Sequence, residues 1–600
     1  AEDVAGGGVE VRIDARRLPV DPQLRAAAAP RARAIYEGVG PEAGELSSLT
    51  ITALVAQKGA PIELSVDAAL AGVAIRPPRA PLPLTGLTGV VHLTPTALAL
   101  DGVAGELVGA PLRAAGEIAL VPGAGTSTAT LTVRGLELDD RLARELPPGL
   151  AKVFARVRPQ GRLDLETRLL GAGMALEPAV SGRLEGGAFL LDFFPLAATT
   201  LTAEIRADAR EVRIERLRGK IGEGRLEGEG RIELASGPAA EAGEGLAGAR
   251  FSARVADLPL DARLVDAFPE RLRKTLEDLG LGGRATLDLR GAFDPAARPG
   301  GLLSYAAEVG LARAKLDVGL ALTDIEGTID AHGSWPLEAR PAPDIEGGFR
   351  VRHALWKEQD LERFSGRFAS GPELFEVKEI RGELLGGVVE GEFYAFGESP
   401  RMYGAELSLA GGQLERARVH YGQRKAAGLV EGRLTLAGSP AEGGVEASLK
   451  GEGALRVKDG RLYELPTFAG IFSVLSGELP AKPVFDDARV DLALDGKRLL
   501  VERAEFSSPV LSLFGTGTIV DGQADLRVVP EIGRPWFNRI PIFGTLWGTL
   551  KGNLFLELEV KGSLDDPAVV ARPVKMLYEP ALWFFQRRRA AEGKGAREEQ

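Results

Sequence analysis

The sequence predicts a mainly β protein in which an antiparallel sheet carries one apolar face and one charged face. Three observations support this fold class. Short segments along the whole chain alternate apolar and polar residues, which is the two-residue period of a β-strand. These segments recur in tandem blocks of about 120 residues, each with one short helical stretch. Glycine supplies 77 of the 600 residues, and many glycines stand inside the strand patterns.

The composition narrows the classes of protein that fit this chain. With 45% hydrophobic and 26% charged residues, the sequence is that of a folded protein with enough apolar side chains for several domains. The formal net charge of −11 and the scattered lysines and arginines argue against a nucleic-acid partner. The absence of cysteine excludes disulfides and thiol chemistry. No apolar run reaches the roughly 18 residues that a membrane-spanning helix needs.

The repeats are marked by three related segments, which are spaced about 120 residues apart. They are ARRLPVDPQL, RGLELDDRL and ADLPLDARL, and each follows a strand pattern and precedes a helical one. The clearest helical pattern is DAFPERLRKTLEDLG, where leucines recur at helical spacing. The predicted β repeats span residues 1–120, 121–240 and 241–345. Small residues and proline predict loops at 235–248 and 338–348.

The remainder of the chain differs in repeat length. Residues 346–575 are predicted to form a carboxy-terminal β region with one helix, TFAGIFSVLSGEL, and residues 576–600 a helix and tail. The last strand is predicted in GNLFLELEVKGSLDDP, where apolar residues alternate with charged ones.

Four strand patterns have small residues in the middle of their apolar face. In FSSPVLSLFGTGTIVDG, leucine and isoleucine alternate with polar residues, but Gly515 and Gly517 occupy the two central apolar positions. A glycine inside a strand costs about 0.5 to 1 kcal/mol and supplies no side chain to a core. Two interpretations remain open. The small residues either line a trough with a rounded floor, or mark bulges and corners of an ordinary β-sandwich.

In the trough interpretation, these apolar-face residues line a lipid groove together with the apolar side of the last predicted strand. They are Leu112, Gly116, Ile118, Leu226, Gly228, Gly230, Ile232, Val389, Gly391, Phe393, Leu511, Leu513, Gly515, Gly517, Ile519, Leu554, Leu556, Leu558 and Val560.

The carboxy-terminal region resembles a known family. The segments GRLYELPTFAGIFSVLSG, FDDARVDLALDGKRLLVERAEFSSPVLSLFGTGTIVDGQADLRVVP and RIPIFGTLWGTLKGNLFLELEVKGSLDDPAVV are similar to the carboxy-terminal region of the AsmA-like superfamily of bacterial envelope proteins. The resemblance is clearest between Gly460 and Pro573, and the upstream repeats resemble those of the larger members. It implies an elongated, twisted sheet, folded like a taco around a continuous apolar groove.

The resemblance also implies a function and a location. Such a protein is a bridge-like transporter that carries phospholipid across the periplasm, between the inner and outer membranes of a diderm bacterium. The expected partners are phospholipids and the two membrane surfaces or membrane-embedded proteins. The first residues already show a strand pattern, so any inner-membrane anchor is expected to lie in a segment absent from this chain.

The sequence offers little for catalysis. The histidines stand in separate units, and the GxGxxG match at residues 243–248 lies in a predicted loop and does not open a helix. No catalytic residue, metal ligand or cofactor is therefore predicted, and the protein is not expected to be an enzyme. Two non-enzymatic alternatives remain. They are a scaffold for the assembly of outer-membrane proteins and an extracellular β-repeat adhesin, the latter disfavoured by only 6% aromatic residues.

The carboxy-terminal segment YEPALWFFQRRR combines an aromatic cluster with three consecutive arginines. Rings at headgroup depth and cations on anionic lipid are typical of an interfacial helix, so this end is predicted to dock on a membrane or a membrane-embedded partner. The alternative is that the aromatic side chains cap the open end of the groove. The residues concerned are Trp583, Phe584, Phe585, Arg587, Arg588 and Arg589.

Overall fold

The structure is a computed structural model. It describes residues 2–4, 8–21, 23–24, 33, 36–37, 39–55, 63–76, 82–121, 125–146, 148–171, 177–191, 194–208, 210–235, 246–267, 273, 277, 280–298, 301–317, 321–336, 344–356, 358–371, 374–396, 402–417, 427–439, 445–460, 466–476, 485–508, 511–532, 554–564 and 566–575.

The described part of the chain is mostly β-strand, which confirms the predicted mainly β class. Each described pairing is antiparallel and joins two strands that are consecutive in the chain, so the strands form an open meander. The chain divides into two compact units. The amino-terminal unit comprises Ala1–Gly310 and His332–Pro343, and the carboxy-terminal unit comprises Leu311–Ala331 and Asp344–Gln600. The boundaries of the five predicted domains remain predictions.

The strands are β1 (Glu2–Val4), β2 (Gly8–Pro19), β3 (Pro41–Val55), β4 (Glu63–Ile75), β5 (Leu84–Leu93), β6 (Ala97–Leu107), β7 (Ala110–Ala119), β8 (Thr130–Glu137), β9 (Gln160–Leu170), β10 (Glu177–Leu191), β11 (Phe194–Ala207), β12 (Glu211–Ile221), β13 (Gly224–Leu234), β14 (Leu246–Pro259), β15 (Gly282–Asp294), β16 (Leu302–Asp317), β17 (Ala321–Pro336), β18 (Asp344–Trp356), β19 (Gln359–Ser370), β20 (Leu374–Leu384), β21 (Gly387–Phe396), β22 (Met402–Gln413), β23 (Leu429–Gly438), β24 (Lys450–Lys458), β25 (Asp487–Asp495), β26 (Arg498–Ser507), β27 (Leu511–Val520), β28 (Gln523–Ile532), β29 (Leu554–Ser563) and β30 (Ala568–Lys575).

In the described part of the chain, the helices with defined bounds are few and short. They are α1 (Asp140–Glu145), α2 (Pro148–Val157), α3 (Ala262–Asp266), α4 (Val445–Ser448) and α5 (Pro466–Ser476), with a 3-10 turn at Leu414–Arg416. The side chain of Asp139 caps α1 by accepting hydrogen bonds from the backbone N–H groups of Arg141 and Leu142. Helix α5 confirms the helix predicted in TFAGIFSVLSGEL, with Phe468 and Ile471 buried.

Three sequence predictions about elements need correction. Strand β14 starts inside the loop predicted at 235–248, because Gly248 pairs with Glu233. Strand β18 likewise starts inside the loop predicted at 338–348. The glycines in these two segments take part in strand pairing, so the small-residue composition of the segments wrongly predicted loops. The predicted last strand, β29, is followed by β30, which pairs with it along eight residues. The helix predicted in DAFPERLRKTLEDLG lies mostly outside the described residues.

Charged side chains connect neighbouring strands. Arg456 on β24 donates two hydrogen bonds to the carboxylate of Asp487 on β25, at 2.7 and 3.2 Å, and Arg489 donates a third at 3.0 Å. Partial burial alone would raise the pKa of Asp487. The hydrogen bonds and positive charges of the two arginines outweigh it and hold that pKa below its usual range.

This cluster predicts a pH-dependent contribution to stability. A carboxyl group whose pKa is lowered by folding stabilises the fold above its unfolded pKa of about 3.9, and this contribution is lost as the pH falls through the folded pKa. We expect Asp487→Asn to lower the free energy of unfolding by about 1 kcal/mol at pH 7. The difference from wild type should shrink as the pH falls and vanish once the pH lies below the folded pKa of Asp487. Urea unfolding at several pH values measures it.

The matched control is Asp495→Asn on the same strand, because that carboxylate has a 3.8 Å ion pair with Lys450 in which both side chains are largely exposed. It should change stability little at any pH. A loss in Asp487→Asn that stayed constant from pH 7 to pH 2 would contradict the ionic explanation.

Candidate functional site

The most distinctive surface of the carboxy-terminal unit is its inner face, defined here as the face that carries Leu513 and Leu558. Cross-strand register aligns the residues of this face into rows that run perpendicular to the strands. Row 1 consists of Gly382, Val389, Leu409, Gly432, Leu455, Val490, Ala504, Gly515, Val528, Leu558 and Ala571. Row 2 consists of Ile380, Gly391, Leu407, Leu434, Gly453, Leu492, Val501, Gly517, Leu526, Val560 and Val569.

Every member of both rows is an apolar residue or glycine, from β20 through β30. The outer face between the same rows is different. Its cross-strand neighbours are Arg381, Glu390, Ser408, Arg433, Ala454, Asp491 and Arg503. The alternation that the sequence predicts within each strand therefore adds up, through the register, to one continuous apolar face in this unit.

Only part of the inner face is covered. Helix α5 packs on one part, where Leu558 and Val560 are 0% exposed in a cluster with Phe468 and Ile471. On β23 and β24 the same rows are open, because Leu434 is 37% exposed and Leu455 is 39% exposed. Two large leucines facing inward with more than a third of their surface exposed indicate a face that this unit leaves unfilled.

The described residues that were predicted to line a groove in this unit share the inner face, and their role as a lipid groove remains a prediction. Val389, Leu513, Leu558 and Val560 are buried, and the remaining described ones are half-buried or, for Gly515, buried. The register brings Val389, Gly391, Gly515, Gly517, Leu558 and Val560 into rows 1 and 2, and Phe393 and Ile519 lie on the same face beside them. Leu511 and Leu554 belong to β27 and β29, but their side chains lie outside the described residues.

The amino-terminal unit has comparable rows. One runs across β2 to β7 and consists of Ile13, Ile51, Val66, Leu93, Leu98 and Ile118. Another runs across β10 to β15 and consists of Gly182, Ile205, Ile214, Gly230, Phe251 and Gly291. Ile13 is 55% exposed, and the other members are half-buried.

The predicted lining residues of the amino-terminal unit follow one gradient. Leu112 and Leu226 are buried, whereas Gly116, Ile118, Gly228, Gly230 and Ile232 are half-buried. The apolar face of each strand is therefore more buried at one end than at the other. The contact between Gly291 and Phe251 was not predicted from the sequence. A Cβ added to Gly291 would lie 2.3 Å from the ring of Phe251. That glycine makes room for an aromatic ring of the neighbouring strand.

The four strands that carry small residues in the middle of their apolar face are β7, β13, β21 and β27, here called the hollow strands. Their glycines are of two kinds. In each strand, a Cβ on one glycine would lie 2.2 to 2.8 Å from a backbone oxygen of the chain segment that pairs next to it, which is too close for any side chain. These close-approach glycines are Gly116, Gly228, Gly391 and Gly517. By contrast, a Cβ at Gly230 or Gly515 would have its nearest neighbours at 3.5 Å or more.

A bulge accompanies each hollow strand. The preceding strand carries one extra residue opposite the small residues, between Leu100 and Val103, Ile214 and Leu217, Val377 and Ile380, and Val501 and Ala504. Bulges bend and twist a sheet. These bulges lie in the strand that precedes the glycines, and the choice between a trough and a sandwich remains a prediction. Gly230 and Gly515 leave room on the inner face.

The space above Gly515 is a cavity of about 250 Å³ between α5 and the sheet. Its walls include Phe468 and Ile471 of α5 and, from rows 1 and 2, Val490, Ala504, Val528 and Leu526. The only side-chain hydroxyls among its lining residues belong to Thr467 and Thr516. The arrangement is suited to hydrocarbon and offers no charged group to a ligand.

Other candidate sites are weaker. The described residues contain no group of three or more side chains that could hold a metal ion. His92 contacts the carboxylate of Asp67 on the neighbouring strand at 2.5 Å, which makes a local pair. Within the described ranges, none of the helices has the length and apolar character required to cross a bilayer. The predicted docking cluster from Trp583 to Arg589 lies outside the described residues.

Comparison with known proteins gives no further guidance: no family model, curated protein or solved structure matches this chain.

Proposed function

We propose that this protein binds the acyl chains of phospholipids on its apolar face and transports phospholipid between the inner and outer membranes of a bacterial envelope. The observation that carries the proposal is the inner face of the carboxy-terminal unit. Rows 1 and 2 are apolar or glycine on eleven consecutive strands, and they are open to solvent at Leu434 and Leu455. Soluble proteins rarely expose a contiguous apolar surface of this kind unless a ligand, a partner protein or a membrane binds to it.

The chemistry of the face favours hydrocarbon chains as ligands. Each methylene group moved from water onto apolar side chains contributes about 0.8 kcal/mol, so ten methylene groups contribute roughly 8 kcal/mol before the cost of ordering the chain. Rows of leucine, valine and glycine offer continuous apolar contacts to an extended chain lying across the strands. Dispersion and apolar burial carry no information about a headgroup, so several phospholipids should bind with similar affinity.

The proposal is tested by placing one charge on the open part of the face. Leu455→Glu should reduce the phospholipid that co-purifies with the protein, and its uptake of a fluorescent phospholipid from liposomes, at least ten-fold, because an ionised carboxylate in a hydrocarbon contact is strongly unfavourable. Quantitative lipid mass spectrometry and a fluorescence transfer assay measure the two effects.

A close control stands on the opposite face. Leu500 on β26 is 40% exposed, nearly the same as Leu455, but it faces outward and pairs with Ala493 and Thr518. Leu500→Glu should leave lipid binding and transfer unchanged. Equal losses in the two variants, or no lipid with the wild-type protein, would rule out the inner face as the binding surface.

A further inference from the structure

The cavity between α5 and the sheet differs from the open rows, although it adjoins them. Val490, which lines the cavity, is the cross-strand partner of Leu455, the exposed leucine of row 1. Row 1 therefore leads from the open part of the inner face directly to the cavity wall. Beyond the cavity, Leu558 and Val560 are fully buried beneath α5. The open surface thus leads along row 1 to a partly enclosed space beside the part of the inner face that α5 covers.

We propose that this cavity is a binding site for the methyl end of a single unbranched alkyl chain, and that α5 closes the inner face behind it. The proposal deepens the proposed function and rests on it in one respect, because the rest of the chain would lie on the open rows. The site holds one chain in a fixed position, which is a different role from a surface along which lipids pass.

The size and the lining support an alkyl chain as the occupant. The volume of about 250 Å³ exceeds the roughly 150 Å³ of an engineered apolar cavity that binds benzene. An apolar cavity of this kind does not attract water, because water needs two to four polar partners. Phe468, Phe506 and Leu513 surround the space with rings and methyl groups. A carboxylate or phosphate would have no cationic partner here, so the polar end of the ligand must remain outside.

Glycine at position 515 is what keeps the cavity open. Its backbone has no positive φ, and an added Cβ would have Val528 Cγ2 at 3.5 Å and Ala504 Cβ at 3.6 Å, which are ordinary contacts. A side chain at this position would therefore extend into the cavity without displacing the backbone. The strand patterns contain a comparable glycine at Gly230, in the amino-terminal unit, where the nearest atom to an added Cβ is 3.6 Å away.

The experiment uses the full chain and a 16-carbon fatty acid with a photoreactive diazirine at its methyl end. After irradiation, mass spectrometry should locate adducts on α5 around Phe468 and Ile471 and on β26 to β28. A second probe, with the diazirine beside the carboxylate, should give few adducts there. Gly515→Leu should reduce the cavity adducts of the first probe at least ten-fold, and Gly230→Leu should leave them unchanged.

Each outcome decides between the two proposals. If adducts form on the open strands β23 and β24 but never in the cavity, the cavity site is wrong and the binding surface of the proposed function survives. The same conclusion follows if the cavity adducts persist in Gly515→Leu. If no adduct forms anywhere on the inner face, both are wrong. If Gly515→Leu does not fold, Gly515→Ala adds one methyl group to the same space and should reduce the cavity adducts at least two-fold; unchanged adducts would overturn the cavity site.

Discussion

Gly517→Ala is expected to lower the free energy of unfolding of the carboxy-terminal unit by about 3 kcal/mol, although it adds a single methyl group. Gly517 has a φ of +153°, a conformation that L side chains rarely adopt. Its added Cβ would lie 2.2 Å from the backbone oxygen of Asp525 and 2.7 Å from Cα of Leu526 on β28. Backbone atoms of a paired strand cannot move aside as a flexible side chain can, so the ladder between β27 and β28 must shift.

The control is Gly515→Ala, two residues earlier on the same face of the same strand. Its Cβ has room, so this variant should stay within about 1 kcal/mol of wild type. Urea-dependent hydrogen exchange of peptides from β26 to β28 measures both variants locally. Equal effects at the two positions would show that close approach of the backbone is not what requires Gly517.

This difference also decides which variants can test binding. A tryptophan at Gly517 would disrupt the sheet before it could obstruct an apolar face. Gly230 and Gly515 are the positions at which a larger side chain can occupy space on the inner face while the backbone stays in place.

Leu558→Ala is expected to lower the free energy of unfolding by about 3 to 5 kcal/mol, because Leu558 is fully buried beneath α5 and its removal leaves a cavity. Leu455→Ala removes the same atoms from the same row of the inner face. Since Leu455 is 39% exposed, this change should cost less than about 1 kcal/mol.

Comparing the two variants shows which part of the inner face is packed and which part is exposed, independently of any ligand. Thermal and urea unfolding of the delipidated protein give the two values. Costs of similar size would mean that Leu455 is packed in solution, and the open part of the face would then be absent. Adding phospholipid should raise the stability of wild type more than that of Leu455→Glu, because a ligand that binds only the folded state stabilises it.

The fold class and the two-sided character of the strands could be predicted from the sequence, and so could α5. Alternation is a local property, since successive side chains of any strand point to opposite faces. Leu513, Leu558 and Val560 were predicted on this basis to share one apolar face, and all three are buried in the structure. The local pattern also identified the small residues in the middle of that face, but it could not separate Gly515 from Gly517.

That separation depends on which atoms of other strands come close, which is decided by pairing. A bulge between Val501 and Ala504 lies on one side of the glycines, and on the other side β28 approaches Gly517 but leaves space at Gly515. Helix α5 makes a second distinction of the same kind. Leu455 and Leu558 each stand in an alternating strand, yet one is exposed and the other buried, because α5 covers Leu558 on β29 but not Leu455 on β24. The sequence by itself determined which face of each strand is apolar; only the tertiary structure decided where that face is filled, where it is closed and where it stays open, since burial depends on contacts between segments far apart in the chain.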